Sequence, residues 1–446
     1  MSDITTIDLT ALLDRHKLGR FHLRILAVCG LCCFVTGFFA VSLGFIAPVA
    51  ATAMHLPPGA FGPVFAAMGL GSFFGSLVFT PAADRFGRKP VILAGLLLAA
   101  PFLLLMGRAD SVAALIWMQF GAGFALMGTI PIVLALAGEF MPKHARVTLT
   151  MLVWIGFNLG SIATGIVAAR IAGGGDWHHL FDIAAILALV VAPVVALFLP
   201  ESLDFLAETS HSEPRIARIL RRLDASVAVP PGTHFVLEDK EEHGFPVALL
   251  FREGRKPLTL LLWTMFFCNM MALVFINSWL ATILVALGIA ESVAIMTAAL
   301  TNLGGILGGI AVSELCDRLP RHRFAILAAS FLLGGIAIAV IAKIGGRAEL
   351  ALAAAFLAGF FILGTQNTAN AIAATIYPTA MRSTGAGWAI GMGNIAQILS
   401  PLIGGALLAL AWPPATVLAL AALPPLLAAL AAWRIGRHPS RTASLE

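Results

Sequence analysis

The sequence predicts an all-α membrane protein with twelve membrane-spanning helices. Of its 446 residues, 59% are hydrophobic and only 11% are charged. Apolar runs of about 20 residues are long enough to cross a bilayer as helices. The runs are continuous rather than alternating, which favours helices over the strands of a barrel. Twelve can be placed, at 24–48, 61–80, 90–107, 112–137, 149–170, 180–199, 257–285, 292–315, 324–343, 350–373, 385–410 and 414–433.

The distribution of basic residues predicts the orientation of these spans. If both termini lie on one side, all but four of the 28 Lys and Arg residues fall on that side. The exceptions are Arg108, Arg170, Lys343 and Arg347. Basic residues concentrate in cytoplasmic segments, so we predict an inner-membrane protein with both termini in the cytoplasm. Its net charge of +5 is then explained by anionic lipid and requires no nucleic acid.

A short charged strip, residues 80–90, separates the second and third apolar runs. Its core, Asp84-Arg85-Phe86-Gly87-Arg88-Lys89, follows a glycine-rich helix. This pattern resembles the signature loop of the major facilitator superfamily. The resemblance implies that fold, in which two six-helix halves surround a central site.

The chain repeats itself in a way that supports two halves. Asp84-Arg85 recurs as Asp317-Arg318, 233 residues later, and Pro142-x3-Arg146 recurs as Pro378-x3-Arg382, 236 residues later. Parallel repeats of this kind occur in the resembled superfamily. We therefore predict an N-terminal segment (1–23), a first half (24–200), a linker (201–256), a second half (257–433) and a tail (434–446).

Two amphipathic stretches outside the spans are predicted to lie on the membrane surface. Residues 1–23 contain a weakly amphipathic run, which predicts an interfacial helix. In the linker, Ile216 and Leu220 recur at helical spacing among several arginines, which predicts a short basic helix.

Several segments narrow the resemblance to one family. Residues 44–48 (Gly-Phe-Ile-Ala-Pro), 250–255, 278–280, 364–371 and 377–385 resemble the aromatic acid:proton symporter family. The resemblance covers nearly the whole chain and implies uptake of hydroxybenzoates and related carboxylates together with protons. The sequence departs from that family at three positions. Thr36 and Phe39 replace two first-helix aspartates, and Gln119 replaces a fourth-helix arginine.

The repeated Asp-Arg loops predict a latch between conformations. Charged loops can form and break pairs with helix-end carboxylates as one half rocks against the other. The gating residues that we assign are Asp84, Arg85, Arg88, Arg146, Asp317, Arg318 and Arg382.

A proton carrier is harder to assign, because no acidic residue or histidine lies well inside a span. Intramembrane charges are costly and usually functional. Glu139, at the end of the fourth span, is the candidate. The alternative is a structural pair with Arg146 or with the Asp84 loop.

Uncharged polar and aromatic side chains in the spans are the predicted substrate contacts. Amides both donate and accept hydrogen bonds, so they can bind a carboxylate or a hydroxyl without a fixed charge. Aromatic side chains offer a flat wall for a ring. The alternatives are hydrogen bonds between helices and contact with lipid. The candidates are Phe38, Phe39, Gln119, Trp154, Asn158, Asn277, Trp279, Asn302, Gln366, Asn370, Trp388 and Asn394.

These patterns together predict a secondary transporter of small, aromatic organic acids, with protons as a possible second substrate. The sequence contains no P-loop, nucleophile motif or metal-ligand cluster, so we predict no enzyme activity, no cofactor and a monomer in the bilayer. Two alternatives remain open. One is an uncoupled facilitator or an exporter of a related compound, and the other is a transporter-like receptor.

Overall fold

The structure is a computed structural model with twelve helical spans. It describes residues 6–8, 18–142, 146–172, 176–209, 213–223, 234–236, 247–252, 254–344, 347–373, 376–377 and 382–437. Within these residues, twelve helices or helix pairs are long and apolar enough to cross a membrane. The predicted number of spans is therefore confirmed.

Ten spans are single helices, and two are interrupted. The first half contains α1 (Arg20–Ala53), α2 (Gly62–Phe86), α3 (Arg88–Met106), α4 (Val112–Leu126), α5 (Ile130–Glu139), α6 (Arg146–Ala172) and α7 (His178–Phe198). The second half contains α10 (Lys256–Ala286), α11 (Glu291–Arg318), α12 (Arg323–Ile341), α13 (Ala348–Ala373), α14 (Arg382–Ala409), α15 (Pro414–Leu420) and α16 (Leu423–Gly436). The fourth span is α4 with α5, joined by a 3-10 turn at Met127–Thr129, and the twelfth is α15 with α16.

Between the halves, the linker forms two short helices, α8 (Leu203–Glu208) and α9 (Glu213–Leu223). The Ser202 hydroxyl caps α8 by accepting a hydrogen bond from the Phe205 N–H at 3.1 Å. Ile216 and Leu220 of α9 are buried against the first half. A 3-10 turn at Val247–Phe251 then leads into α10.

The N-terminal segment differs from its prediction. Thr6–Asp8 forms a strand, β1, that pairs in parallel with β2 (His234–Val236) of the linker. The expected interfacial helix is therefore wrong for these three residues, and positions 9–17 lie outside the described residues. Two of the three β1 residues are β-branched, which suits a strand, and the pairing depends on a segment more than 200 positions away, which a local pattern cannot reveal.

Helices within each half pack with their backbones in close contact. In the first half, Thr164 of α6 donates a hydrogen bond to the Phe38 carbonyl of α1 at 2.8 Å, and Ser161 donates to the Gly37 carbonyl at 3.2 Å. In the second half, Thr301 of α11 donates to the Ala355 carbonyl of α13 at 3.2 Å. Buried hydroxyls that bond across helices compensate for the cost of placing polar groups in apolar surroundings.

The two halves meet at one end of the bundle, which we call the loop end. It carries the connections at 54–58, 107–111, 287–290 and 410–413, and the opposite end, the terminal end, carries the starts of α1 and α10. A Cβ added to Gly62 of α2 would lie 3.1 Å from the Gly405 Cα of α14, and one added to Gly165 of α6 would lie 2.6 Å from the Ala299 Cβ of α11. Gly44 of α1 approaches α10 more closely still, at the Asn277 carbonyl. These contacts lie in the loop-end half of each helix.

Candidate functional site

A chain of amide side chains crosses the centre of the second half. The Asn269 Nδ2 atom of α10 donates to the Gln366 Oε1 atom of α13 at 2.6 Å, and the Gln366 Nε2 atom donates to the Asn370 Oδ1 atom at 2.9 Å. Asn269 also donates to the Ile362 carbonyl at 3.4 Å. This backbone bond fixes which amide atom is the nitrogen. The chain brings together two predicted residues, Gln366 and Asn370.

The amide chain is only partly closed. Asn269 and Gln366 are buried, whereas Asn370 is half-buried. Asn370 is therefore the member that a ligand reaches first. The Asn269 Oδ1 atom is buried and has no hydrogen-bond partner among the described residues. An unpaired buried acceptor costs about 1–3 kcal/mol, so a donor that reached it would be bound favourably.

A second group of predicted residues lies where the halves touch. Trp279 of α10 is fully buried, and its ring packs edge-on against Phe65 of α2 with centroids 5.1 Å apart. A Cβ added to Gly404 of α14 would lie 2.5 Å from the Trp279 Nε1 atom. The Asn277 carbonyl contacts α1 at Gly44. Trp279 and Asn277 therefore belong to the contact between the halves in this conformation.

Two stacked aromatic pairs lie in the terminal-end parts of their helices. In the first half, Trp154 stacks on Phe157 of the same helix with centroids 5.1 Å apart, and Asn158 follows, half-buried. In the second half, Trp388 of α14 stacks on Trp263 of α10 with centroids 5.8 Å apart, and 44% of Trp388 is exposed. Each pair offers a flat apolar surface for an aromatic ring.

The remaining predicted contacts occupy different environments. Phe38 and Phe39 are buried in the core of the first half. Asn302 is buried and donates to the Ala298 carbonyl of its own helix at 3.0 Å. Asn394 is exposed and accepts from Gln397 at 3.1 Å. None of these four makes a side-chain hydrogen bond across the halves among the described residues.

Gln119, at the position of the family's arginine, is buried in α4. Its Oε1 atom has no hydrogen-bond partner within the described part of the chain. An arginine there would place a positive charge in the first half. Gln119 supplies a neutral acceptor and donor at the same depth.

At the terminal end, the first signature loop is held by an ion-pair network. Arg88 pairs with Glu139 of α5 and lies 3.5 Å from a carboxylate oxygen of Asp204. The Glu201 Oε1 atom accepts hydrogen bonds from the backbone N–H groups of Arg88 at 2.8 Å and Lys89 at 3.1 Å. A carboxylate at a helix N-terminus caps free N–H groups and opposes the helix dipole.

The second signature loop lacks this network among the described residues. Arg318 pairs with Glu314, one turn earlier on the same helix, and both side chains are mainly exposed. Asp84, Arg85 and Asp317 are also exposed. The structure does not describe the side chains of the other two predicted gating residues, Arg146 and Arg382.

Charges are confined to the ends of the spans. In the described residues, each Asp, Glu, Lys and Arg of a spanning helix lies within five residues of a helix end. Glu139 is no exception, since it is the last residue of α5 and its side chain is 8% exposed. No group of three potential metal ligands occurs among the described residues, and the five cysteines are unpaired and buried.

Sequence reasoning missed three parts of this arrangement. Asn269 was one of several mid-helix amides, and nothing local marked it as the head of the amide chain. Glu201 lies in a recognisable Pro-Glu-Ser motif, but its role as the α3 cap depends on α3 and α7 meeting. Phe65 carried no signal apart from its position in a glycine-rich helix.

A shallow groove lies away from these residues. It opens near the loop end between α6 and α11, and Arg170, Ser292 and Met296 contribute to its lining. None of the predicted substrate contacts lines it, so it has no part in the central site.

Comparison with known proteins identifies relatives along almost the entire length. A family model described as Major Facilitator Superfamily matches residues 29–366 and 262–446. The chain is 31% identical over 429 residues to the 4-hydroxybenzoate transporter PcaK of Pseudomonas aeruginosa, which covers 96% of this chain and 95% of the relative. It is 32% identical over 426 residues to the gallate transporter of Pseudomonas putida, covering 95% and 94%.

Solved structures share the fold at low sequence identity. The nucleoside transporter NupG superposes with a TM-score of 0.69 at 15% identity, covering 94% of this chain and all of that one. A D-xylose-proton symporter superposes with a TM-score of 0.67 at 14% identity, covering 90% and 96%. At such identities the likeness concerns the architecture of twelve spans alone.

Proposed function

The chain belongs to the major facilitator superfamily, and from this membership we propose that it carries small aromatic acids across the membrane by alternating access. It is a multi-pass membrane transporter and not an enzyme. The observation that carries the substrate proposal is the near-complete coverage of relatives named for 4-hydroxybenzoate and gallate. The basic terminal end supports placing that end in the cytoplasm, with the protein in the inner membrane.

The proposed site lies between the aromatic pairs and the amide chain. The carboxylate of the substrate accepts hydrogen bonds from amide N–H groups at Asn370 and Gln366, and its ring lies against Trp154 or Trp388. The half-buried position of Asn370 and the stacking geometry of the pairs support this arrangement. Because amides replace the family's arginine, binding of a simple benzoate is expected to be weaker than a bidentate arginine contact would provide.

Alternating access is supported by where the halves touch. The close approaches at Gly44, Gly62 and Gly165 lie toward the loop end, so we assign this conformation as closed at that end. Opening it requires Gly62 and Gly405 to separate. Substituting Gly405 with valine would hold these backbones apart and favour the alternative state.

Spin-label distances test this step. Labels placed in the 54–58 and 410–413 connections are expected to move apart in Gly405→Val, and turnover is expected to fall at least tenfold. Gly391→Val is the matched control on the same helix, because a Cβ there meets no atom within 4 Å. Equal label distances in the two variants would contradict the proposal that the contact between Gly62 and Gly405 closes the loop end.

Transport has two candidate mechanisms, one coupled to protons and one uncoupled. In the first, Glu139 carries the proton and releases Arg88 when it is protonated, and the partly buried ion pair of these two residues supports this form. In the second, the protein is an uncoupled facilitator, which is favoured by the confinement of charged residues to the span ends. The alternative to both mechanisms is a transporter-like receptor, which predicts substrate binding without flux.

Uptake of labelled 4-hydroxybenzoate and gallate into proteoliposomes, with and without an inside-alkaline pH gradient, separates these forms. Accumulation that requires the gradient indicates symport, and equilibration without accumulation indicates a facilitator. Under symport, Glu139→Gln is expected to abolish gradient-driven uptake while exchange persists. Saturable binding of both acids without uptake would indicate the receptor. No binding and no uptake of either acid would overturn the substrate proposal.

The latch has its own test. Asp84→Asn is expected to lower turnover severalfold with little change in substrate affinity, because Asp84 lies in the loop that must rearrange rather than in the central site. Lys240→Gln, in the linker, changes one charge outside the loop and serves as the control. An unchanged transport rate in Asp84→Asn would remove Asp84 from the latch.

A further inference from the structure

Helix α9 presents two opposite faces. Ile216 and Leu220 are buried at 1% and 0% exposure in the core of the first half, next to Leu203 and Leu206 of α8. The opposite face carries Arg215, Arg218, Arg221 and Arg222, all of them exposed. The four arginines form what we call the arginine face. The apolar side already has its partner in the bundle, so only the arginine face is available to another molecule.

The arginine face has no acidic partner in the described parts of the chain. None of its four guanidinium groups forms an ion pair or hydrogen bond there. A fifth cation lies close to the face, because the charge of Arg222 acts on that of Lys89 at the start of α3. Four unpaired cations, one of them beside a fifth, create a strongly positive surface that an anion would neutralise.

The arginine face also lies close to the end of the apolar surface that the spanning helices expose. The last turn of α7 exposes Leu197 and Phe198, at 73% and 45%, and helix α8 begins at Leu203, five residues after α7 ends. Lys89 donates to the Ala196 carbonyl of this same turn at 2.6 Å. Exposed apolar side chains on a spanning helix face lipid, so the cations beside them lie at the depth of the lipid headgroups.

We propose that the arginine face of α9 binds the headgroups of anionic phospholipids in the surrounding bilayer. The buried side of the helix holds it against the bundle, and the four arginines, with Lys89 beside Arg222, contact phosphodiester groups. Arginine suits this partner because its planar guanidinium group can donate two parallel hydrogen bonds to one phosphate. This interaction is separate from the central transport site and does not depend on which substrate is carried.

Lipid fits the surface better than a soluble anion does. The arginines are spread along the exposed face of a helix of 11 residues and do not converge on a pocket. A small anion would contact one or two of them, whereas a layer of headgroups contacts all four at once. The exposed apolar residues of the α7 turn that Lys89 contacts supply the acyl-chain contacts that a free phosphate cannot use.

Lipid binding to the purified full-length protein tests the proposal without any transport measurement. The protein in neutral detergent is titrated with phosphatidylglycerol, and bound lipids are counted by native mass spectrometry, with phosphatidylcholine as the neutral comparison. We expect tight, salt-sensitive binding of phosphatidylglycerol. In the variant with all four arginines changed to glutamine, we expect its apparent Kd to rise at least tenfold. The variant with four lysines is expected to bind less tightly than the native protein but more tightly than the glutamine variant, because it keeps the charge and loses the paired hydrogen bonds of the guanidinium groups.

Two controls make the result decisive. A second variant removes the same charge from the same end of the molecule by changing the exposed residues Arg252, Arg321, Arg434 and Arg437 to glutamine. An equal loss of lipid binding in that variant would show a general effect of net charge and would overturn the proposal. Competition by millimolar inorganic phosphate would assign the face to soluble anions instead. Ile216 and Leu220 are unchanged in all variants, and an unaltered thermal transition confirms folding.

Discussion

The two signature loops share the same Asp-Arg pair, but their surroundings differ. In the first loop, Arg88 joins α3 to α5 and α8 through Glu139 and Asp204. In the second loop, Arg318 pairs with Glu314 of its own helix and with no other described residue, and its side chain is 74% exposed. A partly buried ion pair between helices is more strongly coupled to its surroundings than an exposed pair within one helix, which contributes little. The two halves therefore share the Asp-Arg motif, but we expect its ion pairs to contribute to stability mainly in the first half.

The backbone of the two loops differs in the same way. Gly87 adopts a φ of 97°, a region that favours glycine, and a Cβ there would lie 2.6 Å from a Glu201 carboxylate oxygen. At the corresponding position the second loop has Pro320, which opens a 3-10 turn. The residue that corresponds to Glu201 at the same offset is Arg434, which is exposed. Among the described residues, the carboxylate cap and the tight glycine turn thus occur at the first loop and not at the second.

The largest difference in stability is expected between variants of Glu139 and Glu314, the glutamates that pair with the arginines of the two loops. Glu139→Gln removes the closer of the two carboxylate partners of the partly buried Arg88 guanidinium and leaves Asp204 at 3.5 Å, and it should lower the free energy of unfolding by about 3 kcal/mol. Glu314→Gln, in the exposed pair, should change it by less than about 0.5 kcal/mol. Unfolding in detergent micelles, followed by circular dichroism, measures both. Similar losses in the two variants would show that burial does not separate the loops.

The turn residues should show the next largest effect. Gly87→Ala imposes a strained backbone and a contact with Glu201, and should cost about 2 kcal/mol. Pro320→Ala at the matched position creates no such strain, so it should lower the free energy of unfolding by less than half as much. The same unfolding measurement applies. A tolerated alanine at position 87 would mean that the loop can relax, and the first loop would then be less rigid than the structure implies.

The cap should have a smaller effect. Glu201→Gln keeps an acceptor for the Arg88 and Lys89 N–H groups but removes the charge at the start of α3, which should cost about 1 kcal/mol. Arg434→Gln is the matched change in the second half and is expected to be neutral within about 0.5 kcal/mol. Raising the salt concentration should narrow the gap between the variants, since partly exposed charges are screened. A gap that widened with salt would argue against an electrostatic cap.

The smallest effect is expected at Arg318. Arg318→Gln removes an exposed pair within one helix and should change stability by less than about 0.5 kcal/mol. Its transport rate, measured in the same proteoliposomes as Asp84→Asn, shows whether the second loop contributes to conformational change without contributing to stability. A large loss of stability in Arg318→Gln would require a partner for Arg318 outside the described residues.

Much of the fold could be predicted because its signals are local. Each span is recognisable from its own apolar run, and the repeat at 233 residues divided the chain without any contact information. The linker helix Glu213–Leu223 was visible from the spacing of its apolar and basic residues. The strand at Thr6–Asp8 was not, because its partner lies in the distant linker.

The candidate site could be predicted only as a set of residue types. Gln366 and Asn370 were recognisable as mid-helix amides, but their neighbour Asn269 comes from a helix nearly 100 positions away, and only folding places its Nδ2 atom 2.6 Å from Gln366. Trp279 was also recognised from the sequence, but the structure gives it a different role from the predicted one. Its sequence predicts an aromatic wall, and the structure packs it against Phe65 between the halves.

By itself, the sequence determined that this chain spans a membrane twelve times as a duplicated bundle, because hydropathy, helix length and internal repetition are properties of contiguous segments. The tertiary structure decided which side chains meet. It gave Arg88 a buried partner and Arg318 an exposed one, and it joined three amides into one chain. Such choices depend on how helices cross and on how much solvent remains around a charge, and neither is encoded within a single segment.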